Sequence, residues 1–224
     1  MEYIRCPRCK NDIPTTYIFC PFCGFDLRFI IREKLITRLS LKDRIYRIYY
    51  LFRMPLESMK HIASAPDFLG AVLVSIIGAA LLFIKSIVVY LEFIGSLSRE
   101  SLIYLFLNAL LLQFIMWFVF AMFFHIALSI VGGKGTFGDV VNVLGYSMIF
   151  VNIGHVFSLI LMSIASSTPD SPSLLPVYAY VPFIFISAIL AGYGFSYTHL
   201  LKKSTAISTA IVVSIFFIVF LCVL

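Results

Sequence analysis

Beyond Asp67 the chain falls into uncharged runs at 68–84, 86–91, 101–133, 140–169, 171–201 and 204–224. About 20 apolar residues are needed to cross the hydrocarbon core of a bilayer, and most of these runs suffice. Lys85 divides the first two runs without any turn signal, so they are joined. Five spans are expected, near 69–92, 103–128, 142–165, 175–196 and 205–224. An open sheet in lipid would leave edge groups unpaired, so each span is expected to be a helix. The composition agrees, with 61% hydrophobic and 12% charged residues, against the roughly 25% charge of a soluble globule. The fold class that follows is an all-α polytopic membrane protein.

Glycine, serine and proline mark the connections: Gly95-Ser96-Leu97-Ser98-Arg99-Glu100, Gly132-Gly133-Lys134-Gly135-Thr136, Ser166–Ser173, and the turn at Lys202-Lys203. The charge is placed unevenly. Residues 1–60 hold 12 Lys/Arg against 6 Asp/Glu, and residues 61–224 hold 5 of each. The N-terminal segment, Lys134, Lys202 and Lys203 fall on one side of the spans, and only Arg99 falls on the other. The positive-inside rule then puts the N-terminus in the cytoplasm and the C-terminus outside a cell membrane.

Four of the five cysteines form two pairs, Cys6-Pro7-Arg8-Cys9 and Cys20-Pro21-Phe22-Cys23-Gly24. Each CxxC turn aims two sulfurs at one point, and two such turns complete a tetrahedral S₄ shell suited to Zn²⁺. A disulfide framework is the rival reading, and it needs an oxidising compartment. Met1–Lys10 is polar and the first long apolar run begins near Phe68, so a reducing cytoplasm is expected and metal is preferred. Four protein ligands leave no position for substrate water, which makes the ion structural. Residues 1–27 are too few to build a core, so the ion supplies their folding free energy. Tyr3, Arg5, Arg8, Tyr17 and Phe22 are the contact residues such a head would present. The bland alternative is a stable plug with no partner. Cys222 reads as a small apolar side chain.

Residues 28–65 link this head to the spans. Arg28, Arg32, Lys34, Arg38, Lys42, Arg44 and Arg47 alternate with apolar and aromatic positions, a basic amphipathic pattern. One or two helices lying among anionic headgroups are expected, broken by Pro55 and Pro66. The alternative is a cytosolic helix packed on the head or on a partner protein. A nucleic-acid surface is a further reading of the same charge, disfavoured beside membrane spans.

Polar residues inside spans are expensive: Lys85, Asn108, Gln113 and His155 lie at comparable depths, and Asn152 shares a face with His155. Two readings stand: a polar cavity, with Glu92 pairing Lys85, or packing amides with Lys85 snorkelling. His125 and His199 fall near the cytoplasmic ends and are expected at the headgroups. No HExxH, GxSxG or intramembrane aspartate pair is present. The glycine loop lacks the G-x-x-x-x-G-K-[ST] spacing of a phosphate loop. No enzyme is expected.

Two segments resemble known families. The run CPRCKNDIPTTYIFCPFCGFDL is similar to the short zinc ribbons that precede many prokaryotic membrane proteins. Residues 42–224 resemble the Yip domain family, five-span membrane proteins named for binding Ypt/Rab GTPases. That resemblance rests on Tyr50-Leu51-Phe52-Arg53-Met54-Pro55 with Ala65-Pro66-Asp67, and on Gly132, Gly133, Lys134, Gly135, Thr136 and Phe137 leading to Gly145 and Tyr146. It implies a five-span domain over 66–224 with a cytoplasmic N-terminus. The region that is acidic in eukaryotic members is basic here, so no Rab binding is carried over. The expected role is a scaffold or adaptor that recruits a cytoplasmic protein and shapes the membrane. A solute or lipid transporter using the polar span residues is the alternative. The sequence leaves the partner and any homo-oligomer open.

Overall fold

Charge-free stretches become helices here because a helix satisfies its own backbone groups, and the computed structural model follows that requirement closely. It describes residues 3–14, 20–25, 27, 30, 39–165 and 179–223. Seven helices are found among them: α1 Leu41–Arg53, α2 Pro55–Ser64, α3 Phe68–Ile94, α4 Arg99–Ile130, α5 Phe137–Ala165, α6 Val181–Thr198 and α7 Lys203–Val223. Two short strands, β1 Tyr3–Arg5 and β2 Asp12–Pro14, pair antiparallel with Ile4 opposite Ile13. The molecule is an all-α polytopic membrane protein with a small β-hairpin head. Helices α3 to α6 are long and apolar enough to cross a membrane, and α7 contributes a shorter apolar stretch, Lys203–Val219.

Local chemistry sets the boundaries. Ser40 and Asp43 form a capping box at α1, in which the Asp43 amide donates to Ser40 Oγ while Asp43 Oδ2 accepts from the Ser40 amide at 2.8 Å. The Ser40 hydroxyl and amide hold the Asp43 carboxyl below its usual range. Pro55 opens α2 at the one position where its missing N–H costs nothing. Gly95, at φ 75°, closes α3 in the left-handed conformation. Thr136 and Asp139 cap α5 with a second reciprocal pair, the Thr136 amide donating to Asp139 Oδ2 at 2.9 Å.

Packing divides each span into two faces. On α4, Ile103, Leu107, Leu111, Ile115, Met122, Ile126 and Ile130 are exposed, while Ala109, Trp117, Ala121, Phe124 and Leu128 are buried. An exposed apolar wall of that length suits a lipid-facing surface. Helix α6 is the most enclosed span, with half of its apolar window buried. It packs on α5, α7 and α2.

Helix α2 departs from the headgroup expectation. Ser58, Met59, Ile62 and Ala63 are buried, and Met59 and Ile62 join the core formed by the spans. It is a docked cap on the end of the bundle. Helix α1 keeps an exposed face of Leu41, Ile45, Tyr46, Tyr49 and Phe52, with Leu51 turned inward. Arg28, Arg32, Lys34 and Arg38, with Tyr17, the Ser166–Ser173 loop and the start of the fourth expected span, lie outside the described residues, as do the side chains of Glu92 and Cys222.

Candidate functional sites: a four-thiol head and a buried carboxylate clasp

The head is two copies of one turn. The Cys6 amide donates to Asn11 O at 2.9 Å and the Lys10 amide to Cys6 O at 2.8 Å; the Cys20 amide donates to Phe25 O at 2.8 Å and the Gly24 amide to Cys20 O at 2.9 Å. In each turn the residue four after the leading cysteine is left-handed, Lys10 at φ 60° and Gly24 at φ 69°. Ile4, Ile13 and Leu27 pack with Cys6 and Cys20 into a core of a few side chains. Arg5 Nε donates to Lys10 O, and Arg8 Nη1 reaches Cys23 O across the two turns.

Cys6 Sγ lies 3.6 Å from Cys23 Sγ, Cys9 Sγ lies 3.5 Å from Cys20 Sγ, and all four sulfurs fall within 4.8 Å of one another. These are not disulfides. A tetrahedron with metal–sulfur bonds of about 2.3 Å has edges of about 3.8 Å, so the spacing fits one ion. Burial raises the Cys6 thiol, but the backbone amides of Cys9 and Arg8 outweigh it and bring the pKa down to about 6. Burial pushes Cys23 up to about 12, with the neighbouring cysteines adding to the rise. Four thiolates this close repel one another unless a cation sits among them. The cysteines can therefore bind a metal ion.

A left-handed lysine is strained where glycine is not, by about 1 kcal/mol. Lys10→Gly is expected to tighten metal binding by about fivefold, and Gly24→Ala to weaken it by a similar factor. A competitive titration against a metallochromic chelator checks both.

The second site lies at the end of the bundle that carries α1 and α2. Asp67, 1% exposed, sits just before α3. Arg44 Nε is 3.0 Å from each of its carboxylate oxygens. Tyr146 Oη donates to Asp67 Oδ2 at 2.9 Å. The Asp67 amide donates to Asn142 Oδ1 at 2.8 Å, and Asn142 Nδ2 donates to Ile62 O at 3.2 Å. Arg47 Nη1 adds a bond to Ala65 O at 2.7 Å. One carboxylate thus ties α1, the α2–α3 elbow and α5 together. Arg44 and Arg47, expected at the headgroups, are turned inward onto this clasp; Lys42 remains exposed. Sequence reading named Arg44, Arg47, Asp67 and Tyr146 separately but missed Asn142 and the assembly. The available signal was Asn142 and Tyr146, polar at i, i+4 in the first turns of α5.

The glycine loop has a different purpose from a bare turn. Gly132 takes φ 88°. Gly133 and Gly135 lie against the ring of His199, where a Cβ on Gly135 would come within 2.5 Å of that ring. The Lys134 amide donates to His199 O at 3.1 Å, and Thr198 Oγ1 is 2.8 Å from His199 Nδ1. His199 is 0% exposed, so it does not reach headgroups as expected; the loop folds over it. Gly145 faces Ala71 and Trp117, and the Trp117 indole donates to Val141 O at 3.1 Å.

The polar span residues separate into three places. Gln113 and Asn152 are both buried against Gly78, with Asn152 Nδ2 donating to Val74 O at 3.0 Å. Lys85 and His155 meet at Tyr180, with Lys85 Nζ 5.5 Å and the His155 ring 5.7 Å from the tyrosine ring. Asn108 is exposed on α4 and joins neither group.

Residues 49–224 match the family model described as the Yip1 domain, a stretch that begins inside α1 and takes in α2 and every span. No curated protein and no solved structure matches the chain.

Proposed function

Because the chain belongs to the Yip1 domain family, we propose that it is a non-enzymatic membrane adaptor whose head recruits a cytoplasmic protein. The proposed head ion is Zn²⁺, which accepts four thiolates in a tetrahedron and adds no redox chemistry. A shell closed by four protein sulfurs has no vacancy for substrate, so its product is a shaped surface. The observation that carries the reading is that this surface is aromatic and basic: Phe22 is 68% exposed and Tyr3 56%, beside Arg5 and Arg8. Exposed aromatics with arginine are the usual anchors of protein contacts.

Five crossings with the N-terminus in the cytoplasm follow from the Lys/Arg placement, with α7 as the fifth span. The basic stretch Arg28, Arg32, Lys34, Arg38 and Lys42 adds attraction to anionic lipid. The outward face of α1 exposes Tyr46, Tyr49 and Phe52 beside the basic Lys42. Membrane shaping would come from α1 and its apolar face sitting in one leaflet.

The test deletes residues 1–27 and compares the proteins that co-purify with the full-length and shortened chains. Loss of specific partners is expected, and an unchanged set would contradict recruitment by the head. Transport is the second reading, favoured by Lys85 and His155 converging on Tyr180. It requires that Lys85→Leu or His155→Leu abolish flux in reconstituted vesicles.

A further inference from the structure

At the end of the bundle where α2, α6 and α7 meet, two phenol hydroxyls and two ammonium groups converge. Tyr193 and Tyr197 stand one turn apart on α6 with their hydroxyls 3.0 Å from each other. Lys203 Nζ, at the start of α7, lies 4.9 Å from the Tyr193 ring centroid and 5.7 Å from that of Tyr197. Lys60 Nζ, from α2, lies 5.9 Å from the Tyr197 ring. Both tyrosines are half-buried and both lysines exposed.

Only one of the two hydroxyls can donate within the pair, so the other proton is left for an outside acceptor. Neither lysine pairs with a carboxylate among the described residues. Lys203 already donates to the tyrosine hydroxyls. An ammonium has three donors, so the constellation still presents one O–H and the remaining N–H donors of two ammonium groups on one patch. Its chemistry is that of an anion site with hydrogen-bonding reach.

Depth and the surface below distinguish the kinds of anion. The cluster sits at the last turn of a span, the level of phosphates and interfacial tyrosines. On the same face of α6, one and two turns deeper, Ile189 and Ile186 are 42% and 41% exposed. An amphiphile with an anionic head matches a polar rim above an apolar wall, and a free anion has no use for the wall.

We propose that Lys60, Tyr193, Tyr197 and Lys203 bind the phosphate of an anionic phospholipid whose acyl chains lie along Ile189 and Ile186. The site depends on the membrane placement of α6 and not on partner recruitment by the head. It differs from diffuse adsorption on the basic N-terminal stretch because it uses hydroxyl groups, which carry no charge.

The test titrates full-length protein in neutral detergent with phosphatidylglycerol and counts one-to-one lipid adducts by native mass spectrometry. Phosphatidylglycerol is expected to bind at least tenfold more tightly than diacylglycerol with the same chains. The pair Tyr193→Phe with Tyr197→Phe should weaken it by about tenfold, the loss typical of a hydrogen bond to a charged group. The pair Lys60→Gln with Lys203→Gln should weaken it by at least as much. Lys42→Gln, outside the site, should change it by less than twofold.

An unchanged affinity in the folded tyrosine pair, with losses that only track total charge, would overturn the proposal in favour of diffuse adsorption. Displacement of the lipid by millimolar inorganic phosphate would also overturn it, because the site would then serve a soluble anion. Should the tyrosine pair fail to fold, the unaltered chain decides: equal binding of diacylglycerol and phosphatidylglycerol rejects the site.

Discussion

Stripping the metal from the head is expected to unfold the β1–β2 hairpin and the two cysteine turns as a unit and to leave the helical bundle intact. The hairpin has only three residues per strand, and its core is Ile4, Ile13 and Leu27 packed on two cysteines. Buried area of that size does not offset the ordering entropy of the segment. Structural zinc in comparable modules contributes about 10 kcal/mol or more of apparent folding free energy. Cys20→Ser should have the same effect as chelation, because it removes one sulfur of four and leaves the other three crowded. Hydrogen exchange read by mass spectrometry checks this. Protection at the β1–β2 amides should vanish, while protection in α3 to α6 should stay constant. Retained protection in the head after complete metal removal would show that its side chains hold it unaided.

Asp67→Ala is expected to destabilise the membrane domain by about 3 kcal/mol or more, the cost of removing one partner from a buried ion pair. The change strands Arg44, whose side chain is 14% exposed, and takes from Tyr146 the acceptor of its hydroxyl. Both losses fall where α1 and α5 are joined. The double change of Asp67→Leu with Arg44→Met should be less harmful than Asp67→Ala alone, since it leaves no buried charge. Thermal melts in detergent give the ranking. Exchange protection of α1 should fall first in Asp67→Ala, because Arg44 on the clasp ties α1 to Asp67 and through it to α5, whereas α2 is also held by Met59 and Ile62 in the core. A single variant no less stable than the double one would mean that Asp67 is not paired as described.

The spans and the sulfur cage were legible in the sequence because each depends on spacing along the chain. Charge-free runs of sufficient length leave a helix as the one way to satisfy backbone groups in lipid, and two CxxC turns define their own geometry. The clasp was not legible, because its members are distant in sequence: 23 residues separate Arg44 from Asp67, and 79 separate Asp67 from Tyr146. Amphipathic periodicity shows that Arg44 lies on a polar face. It does not say whether lipid phosphate or a buried carboxylate meets that face. Met59 and Ile62 raise the same difficulty, since an apolar stripe suits either a headgroup layer or the end of a bundle. His199 was misplaced for a related reason. A histidine near a span end belongs at the interface by default, but two glycines 64 and 66 residues earlier in the chain make room for its ring. That relation appears only when the loop closes over α6.

The measurement that bears most directly on this account is zinc-edge X-ray absorption on the purified full-length protein, with metal content determined in the same sample. One zinc per chain is expected, with four sulfur neighbours at about 2.3 Å and no nitrogen or oxygen in the shell. A chain that carries no zinc with its cysteines joined as disulfides, or a zinc whose shell includes water, would contradict it.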